Sequence, residues 1–380
     1  MLKRLRNLCF DERGMSFAFV GVGLMTFMAA TALAVDVGMF MTARTQAQTS
    51  ADAAALAGAT ALVFNSWDDR TSSGPAVQSA MSTATQNNVM GGVVSVQPTD
   101  VTFPVGPTGA NRVKVDVYRT AGRSNPVTTL LGSLLGRSTI DIAATATAEA
   151  APAGGMTCVK PFIIPDKWQE NTSPPWNMNT SVYEHYDNHG NELMPHDVYS
   201  PSQGYTADDR GTLLILRAGG GNNIQPTFYF SWAMPGNTGA DWYEENIRTC
   251  NTTVIDTGYV ATQEPGNMMG PTISGLEALK AADPTAYWDA SLANGKGDYV
   301  SNQRPSPRVF PIPLYDPEEY DKAVHSGRNA TLVVAKWLGF FLVDIQGNEA
   351  YGRIFPITGV SASSTPTPTT PLAYVIRLVQ

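Results

Sequence analysis

Residues 15–35 form a run with no charged side chain, opened by Arg13-Gly14 and closed by Asp36-Val37-Gly38. Its length is close to the ~20 residues that a helix needs to cross a hydrocarbon core about 30 Å thick. Phe17, Phe19, Val20, Val22, Leu24, Phe27, Leu33 and Val35 together favour insertion by about 3 kcal/mol, less what Ser16, Gly21, Gly23, Thr26 and Thr31 subtract. Beyond Val35 the sequence turns polar and alanine-rich but stays free of proline to Phe64. The pattern predicts one helix over 15–64, about 75 Å long at 1.5 Å per residue. Its first part would be a membrane span and its second part a stalk.

Lys3, Arg4, Arg6 and Arg13 precede the run and only Arg44 follows it closely. The positive-inside rule therefore puts the N-terminus in the cytoplasm and the rest of the chain outside. A cleaved secretory signal is the competing reading, because Ala32-Leu33-Ala34 fits a small-x-small cleavage site. Against it stand the length of the run, the acidic Asp11 and Glu12 in the leader, and the helical sequence past Val35. Both readings export the chain beyond the run.

Along the stalk, Ala43, Ala47, Ala51, Ala55 and Ala59 recur every four residues. Small residues at that spacing make a shallow ridge on which a second backbone can pack closely. Alanine is also the best helix former, which explains the same row without any partner.

After the stalk, Asp68, Asp69, Ser72, Ser73, Gly74 and Pro75 break the helix, and residues 76–88 predict a short second one. β-forming stretches follow at 93–96, 112–118 and 140–150, the second with strict alternation in Val113, Val115 and Val117. Ala151-Pro152-Ala153-Gly154-Gly155 reads as a linker. Past it, residues 212–217 and 226–232 read as strands flanking Gly219-Gly220-Gly221. A phosphate loop would need a helix after the glycines. The apolar stretch 331–345 contains Lys336 and is short, so it reads as a buried strand pair. Residues 361–371, rich in Pro, Ser and Thr, read as an extended loop before a closing strand at 372–378. The expected fold class is α+β. It comprises a leader (1–14), a transmembrane and stalk helix (15–64), a small α+β domain (65–150) and a β-rich exported domain (151–380).

Composition narrows the function. The net charge is −8 and no basic run follows residue 13, which argues against nucleic acid as a partner. With 34 glycines and 26 prolines, the exported part should be rich in turns. Cys9 falls on the cytoplasmic side, whereas Cys158 and Cys250 fall where disulfides persist. They are expected to pair, the alternative being two buried thiols.

Signals for chemistry are sparse. No His-Glu-x-x-His, Gly-x-Ser-x-Gly or Walker loop occurs, and two exported cysteines cannot make a four-thiolate zinc site. His185, His189 and His196 lie within a short stretch, but Asn188, Gly190 and Pro195 favour a hydrated turn over a helix that would align ligands. Asp316-Pro317-Glu318-Glu319-Tyr320-Asp321 could hold calcium or flank a sugar. Equally, proline followed by two glutamates is a common helix start. No catalytic, cofactor or metal residue is assigned.

The series Asp11-Glu12-Arg13-Gly14, an apolar span, Ala34-Val35-Asp36-Val37-Gly38, Gln46 and Ser50-Ala51-Asp52-Ala53-Ala54-Ala55-Leu56-Ala57-Gly58-Ala59 resembles the N-terminal segment of TadE/TadG-like proteins. These are components of bacterial Flp (tight adherence) pilus assembly. Looser likeness to the exported part of TadG-like proteins lies at Cys158-Val159-Lys160-Pro161-Phe162, at Pro265-Gly266-Asn267-Met268-Met269-Gly270-Pro271-Thr272 and at Arg308-Val309-Phe310-Pro311-Ile312-Pro313. Two departures matter. Phe19 stands where a processed prepilin would carry glutamate after its cleavage glycine. Asp289-Ala290-Ser291-Leu292-Ala293 lacks the second serine of a von Willebrand-type metal site.

The resemblance implies a pilin-like α+β arrangement and a non-enzymatic, single-pass protein of the inner membrane with its bulk periplasmic or extracellular. Its partners would be pilins or other assembly proteins, with self-association as a further option. An exported enzyme or carbohydrate-binding module on the same anchor is the alternative.

Overall fold

The computed structural model describes residues 13–66, 68–106, 111–219, 223–266, 268–325, 331–360 and 372–379. The leader through Glu12 with Cys9, the glycines Gly220 and Gly221, and the 361–371 loop lie outside the described residues. Helices are α1 (Arg13–Phe64), α2 (Pro75–Gln86), α3 (Ala240–Arg248), α4 (Met269–Ala282) and α5 (Pro317–His325). The strands of the two main sheets begin with β1 (Val101–Thr102), β2 (Asn111–Arg119), β3 (Ile142–Pro152), β4 (Phe162–Pro165), β5 (Leu213–Ala218) and β6 (Phe228–Ser231). They continue with β7 (Val260–Ala261), β8 (Val309–Tyr315), β9 (Leu332–Gln346), β10 (Glu349–Phe355), β11 (Ile357–Thr358) and β12 (Ala373–Val379). The α+β class expected from the sequence is what the chain adopts.

Helix α1 runs unbroken for 52 residues, and its two halves have different surroundings. Residues 16–35 carry no buried side chain, with Phe17 84% and Phe19 72% exposed. From Asp36 onward one face is buried, through Ala43, Ala47, Ser50, Ala51, Ala54, Ala55, Ala59 and Leu62. Spacings of three and four put these residues on a single stripe. The stripe packs on α2 and on the inner face of the first sheet, where Val113, Val115 and Val117 of β2 and Ala144, Ala146 and Ala148 of β3 face it. Alanine meets alanine here, so the helix lies close to the sheet. At Gly58 an added Cβ would sit 2.8 Å from Val113 Cγ1 and 3.3 Å from Ala80 Cβ. The alanine row thus packs within its own chain, and the rear half of the helix is a structural wall of the body rather than a free stalk.

The first sheet has the order β1-β2-β3-β12-β11. Its fourth strand comes from the far end of the chain: β12 pairs antiparallel with β3, from Tyr374 opposite Pro152 to Val379 opposite Thr147. Residues 372–378, grouped by sequence with the β-rich part, therefore complete the sheet under α1. Across the outer face Glu149 of β3 binds Arg112 of β2 at 2.7 Å and Arg377 of β12 at 3.1 Å, which ties the three strands together. The strand expected at 93–96 reduces to a single bridge, Ser95 with Tyr118. The tight Val89–Gly92 turn before it and the turn starting at Pro98 leave no length for a ladder.

The second sheet closes on itself as a six-stranded barrel, β9-β8-β4-β6-β5-β10, with β10 pairing back to β9 and β7 added at the start of β9. The stretch expected to form a strand pair at 331–345 is instead one strand. Its first part serves β8 and its second part serves β10, so no turn interrupts it. Gly352 leaves room on β10 for the Phe340 ring from β9. The strands on either side of the glycine triplet are parallel neighbours, Arg217 opposite Phe228.

Four buried charged residues hold the barrel together and to its surroundings. Arg308 donates from Nε to Leu342 O (2.8 Å), from Nη1 to Asp283 O (3.1 Å) and Ala286 O (2.8 Å), and from Nη2 to Val343 O (2.6 Å). Lys160 donates to the carbonyls of Asn246, Ile247 and Thr249 at the C-terminal end of α3. A helix C-terminus welcomes a cation, while burial pulls the Lys160 ammonium down to about 7. Asp166 Oδ2 lies 3.0 Å from Lys336 Nζ, and its carboxylate also accepts from the Tyr205 amide and the Tyr199 hydroxyl. Cys158 and Cys250 are joined as a disulfide across a sequence separation of 92. It fastens the entry of the barrel segment to the loop after α3. In the chain-entropy account, closing a loop of that size is worth roughly 4 to 5 kcal/mol.

Candidate functional site

The feature best placed to act on other molecules is α1, and its geometry follows from the sequence switch at Asp36. Threonines bond back into the helix on both sides of that residue: Thr26 Oγ1 donates to Val22 O and Thr31 Oγ1 to Phe27 O, both at 2.9 Å, as Thr42 does to Gly38 O and Thr45 to Met41 O. Bonding of this kind satisfies a threonine hydroxyl with or without water nearby. Helix α1 is the one helix among the described residues that is long and apolar enough to cross a membrane.

At Asp36 the helix meets the body. The carboxylate is buried, and Oδ1 accepts from the amides of Leu130 (3.0 Å) and Leu131 (3.3 Å), with Oδ2 3.2 Å from the Leu131 amide. Further along, Gln46 Oε1 accepts from the Met90 amide at 2.7 Å, in a turn where Met90 has φ 50°. Gln48 Nε2 donates to Thr145 O on β3 at 3.0 Å, and Ser50 Oγ to Ala84 O in the last turn of α2 at 3.1 Å. The polar residues Asp36, Gln46 and Ser50 and the alanine row Ala43, Ala47, Ala51, Ala55 and Ala59 therefore do one job: they bind the anchor helix to the folded body. At its far end Phe64 O accepts from Arg210 Nη1 at 2.6 Å, and the Arg210 guanidinium lies over the Phe355 ring at the end of β10. The helix is thereby joined to the barrel as well as to the first sheet.

The histidine stretch is rearranged relative to its sequence order. His185 and His196 stack at 4.0 Å between ring centroids with an interplanar angle of 14°. His189 belongs to the turn closed by Asp187, whose Oδ1 accepts from the His189 and Asn191 amides. Glu192 takes its place, so that His185, Glu192 and His196 offer ligand atoms all within 4.8 Å of one another. Glu192 carries no signal in the sequence, because only the turn at 187–191 brings it opposite Tyr186. The two Nδ1 atoms are engaged, His185 with the Tyr183 hydroxyl at 3.2 Å and His196 with the Asp197 carbonyl at 2.9 Å.

The acidic cluster is a helix start. Asp316 Oδ1 accepts from the amides of Glu318 (2.9 Å) and Glu319 (3.1 Å) at the head of α5, as an N-cap does. Asp321, one turn on, accepts from the Tyr186 amide at 3.0 Å and pairs with His325 at 3.1 Å. Burial pushes the Asp316 carboxyl up to about 6, against the two amides that favour its charge. A carboxyl with a raised folded-state pKa contributes stability that is full below its unfolded value of about 4 and is lost as pH rises through 6. Asp316→Asn keeps the cap and removes the charge. Its stability relative to the parent, read from urea midpoints, is expected to improve between pH 4 and pH 7. A difference independent of pH would show that Asp316 is not desolvated in the folded state.

A sequence model of the family described as Flp pilus-assembly TadE/G-like matches residues 14–61. No curated protein and no solved structure matches the chain significantly. The matched segment covers the bare apolar half of α1 and nearly all of the half that is packed into the body. Residues 14–61 of this chain are thus similar to the TadE/G-like Flp pilus-assembly segment.

Proposed function

We propose that the protein is a TadG-like, non-enzymatic component of a Flp-type pilus or a related secretion apparatus, held in the bacterial inner membrane by the first half of α1. In this reading the N-terminus is cytoplasmic. The α+β body and the barrel stand on the periplasmic face, where they act through contacts with pilins or other assembly proteins. The observation that carries the proposal is the division of the family-matched helix into a bare apolar half and a half built into a folded body. Such a helix both anchors the body and sets its height above the bilayer, which suits a scaffold better than a diffusing enzyme.

Deleting the gene in the host that carries it is expected to abolish or strongly reduce surface pili, and the intact gene supplied in trans should restore them. Normal piliation in the deletion strain would refute the assignment. Loss of a hydrolytic or sugar-binding activity with pili unchanged would favour the exported enzyme or carbohydrate module instead.

A further inference from the structure

The residues that Asp36 holds are the tip of a hairpin whose composition is unusual for an exposed loop. Short strands Val127–Thr128 and Thr139–Ile140 pair antiparallel. Between them the sequence runs Thr129-Leu130-Leu131-Gly132-Ser133-Leu134-Leu135-Gly136-Arg137-Ser138, with four leucines, one arginine and no acid. Leu130 is 60% exposed and Arg137 is exposed. An exposed leucine alone means little. Its position carries the weight, because the Leu130 and Leu131 amides are bonded to Asp36, the first charged residue after the uncharged run.

We propose that this hairpin tip is a second, interfacial membrane contact that rests on the outer leaflet of the bilayer crossed by α1. The proposal rests on the membrane reading of α1 and goes beyond it. If residues 16–35 fill the hydrocarbon core, Asp36 lies at its boundary, and whatever Asp36 holds lies at the same depth. The exposed Leu130 side chain then sits at the junction of headgroups and acyl chains, with Arg137 available to lipid phosphates, which is the distribution of an interfacial element. Val37 and Met41, on exposed positions of α1 just past Asp36, extend the apolar surface at this level. One helix alone leaves a body free to swivel and tilt about it. A second contact beside the helix fixes which side of the body faces the membrane.

The test uses the full-length chain with Cys9→Ser, carrying one added cysteine at a time: Leu24→Cys in the apolar half of α1, Leu130→Cys at the tip, and Asp208→Cys as a control. Asp208 is 89% exposed and lies two residues from Arg210, which holds the opposite end of α1. That end is about 40 Å beyond Asp36 along the helix. Each cysteine is labelled with an environment-sensitive nitrobenzoxadiazole dye. The protein is then reconstituted in phosphatidylethanolamine and phosphatidylglycerol vesicles with and without bromine on the upper acyl chain.

Brominated lipid is expected to cut emission about twofold at positions 24 and 130 and to leave 208 unchanged, since quenching needs contact with the acyl region. Quenching at 24 but not at 130 would overturn the proposal while leaving the span intact. Equal quenching at 130 and 208 would also overturn it, because the body would then lie flat instead of resting on its tip. No quenching at 24 would defeat the membrane reading of α1 and the proposal with it.

Discussion

Replacing Ala47, Ala51 and Ala55 together by leucine is expected to unfold the α+β body while leaving the apolar half of α1 untouched. These side chains are at most 1% exposed and face alanines and valines of β2, β3 and α2. Overfilling a packed core typically costs 1 to 3 kcal/mol per site, so three sites reach roughly 3 to 9 kcal/mol. A whole domain has about 5 to 15 kcal/mol to lose. The intact protein in detergent should become sensitive to protease and lose its cooperative urea transition. Thr45→Leu with Thr49→Leu, on the exposed face of the same helix, should leave both unchanged. If the triple variant unfolds at the parent's urea concentration, the stripe is not a wall of the body, and a role in binding another chain returns.

Arg308→Ala is expected to cost about 4 kcal/mol or more. Its guanidinium serves the carbonyls of Asp283, Ala286, Leu342 and Val343 and lies over the Phe341 ring. Leaving a buried acceptor without a donor costs about 1 to 3 kcal/mol, and a small residue also leaves a void beside Phe341. Arg308→Lys should recover less than half of the loss, because an ammonium cannot place donors on both sides of a planar fork. Urea unfolding followed by tryptophan emission would measure both. An alanine variant within 1 kcal/mol of the parent would mean that water reaches those carbonyls.

How much of the fold is legible in the sequence depends on how local each signal is. The apolar run, the helix through to Phe64 and the second helix at Pro75 depend on neighbours three or four residues apart, and all are present. The alternation of Val113, Val115 and Val117 identifies β2 and its inner face. The place of β12 beside β3 is illegible, because the pairing joins residues more than 200 positions apart and leaves no mark in either stretch. Barrel closure is hidden for the same reason. Residues 331–345 show only that they are apolar and β-branched, not that one strand serves two neighbours. Among functional positions, the alanine row is visible but its partner is not, since a small-residue ridge looks the same whether another chain or one's own sheet lies on it. Asp36 reads as the end of a hydrophobic run. Its second task, holding the 130–131 amides, depends on a loop 94 residues away.

The position of β12 has a consequence for biogenesis. A polypeptide made from its N-terminus delivers α1 before the barrel and Ala373–Val379 after it, yet β12 belongs to the sheet on which α1 packs. Until that late strand emerges, the edge of β3 has no neighbour and Glu149 lacks one of its two arginines. The sheet under α1 is therefore finished only after the entire barrel sequence has emerged. During that interval the unpaired edge is open to strand exchange with other chains, and a chaperone that shields it would be the helper this topology most needs.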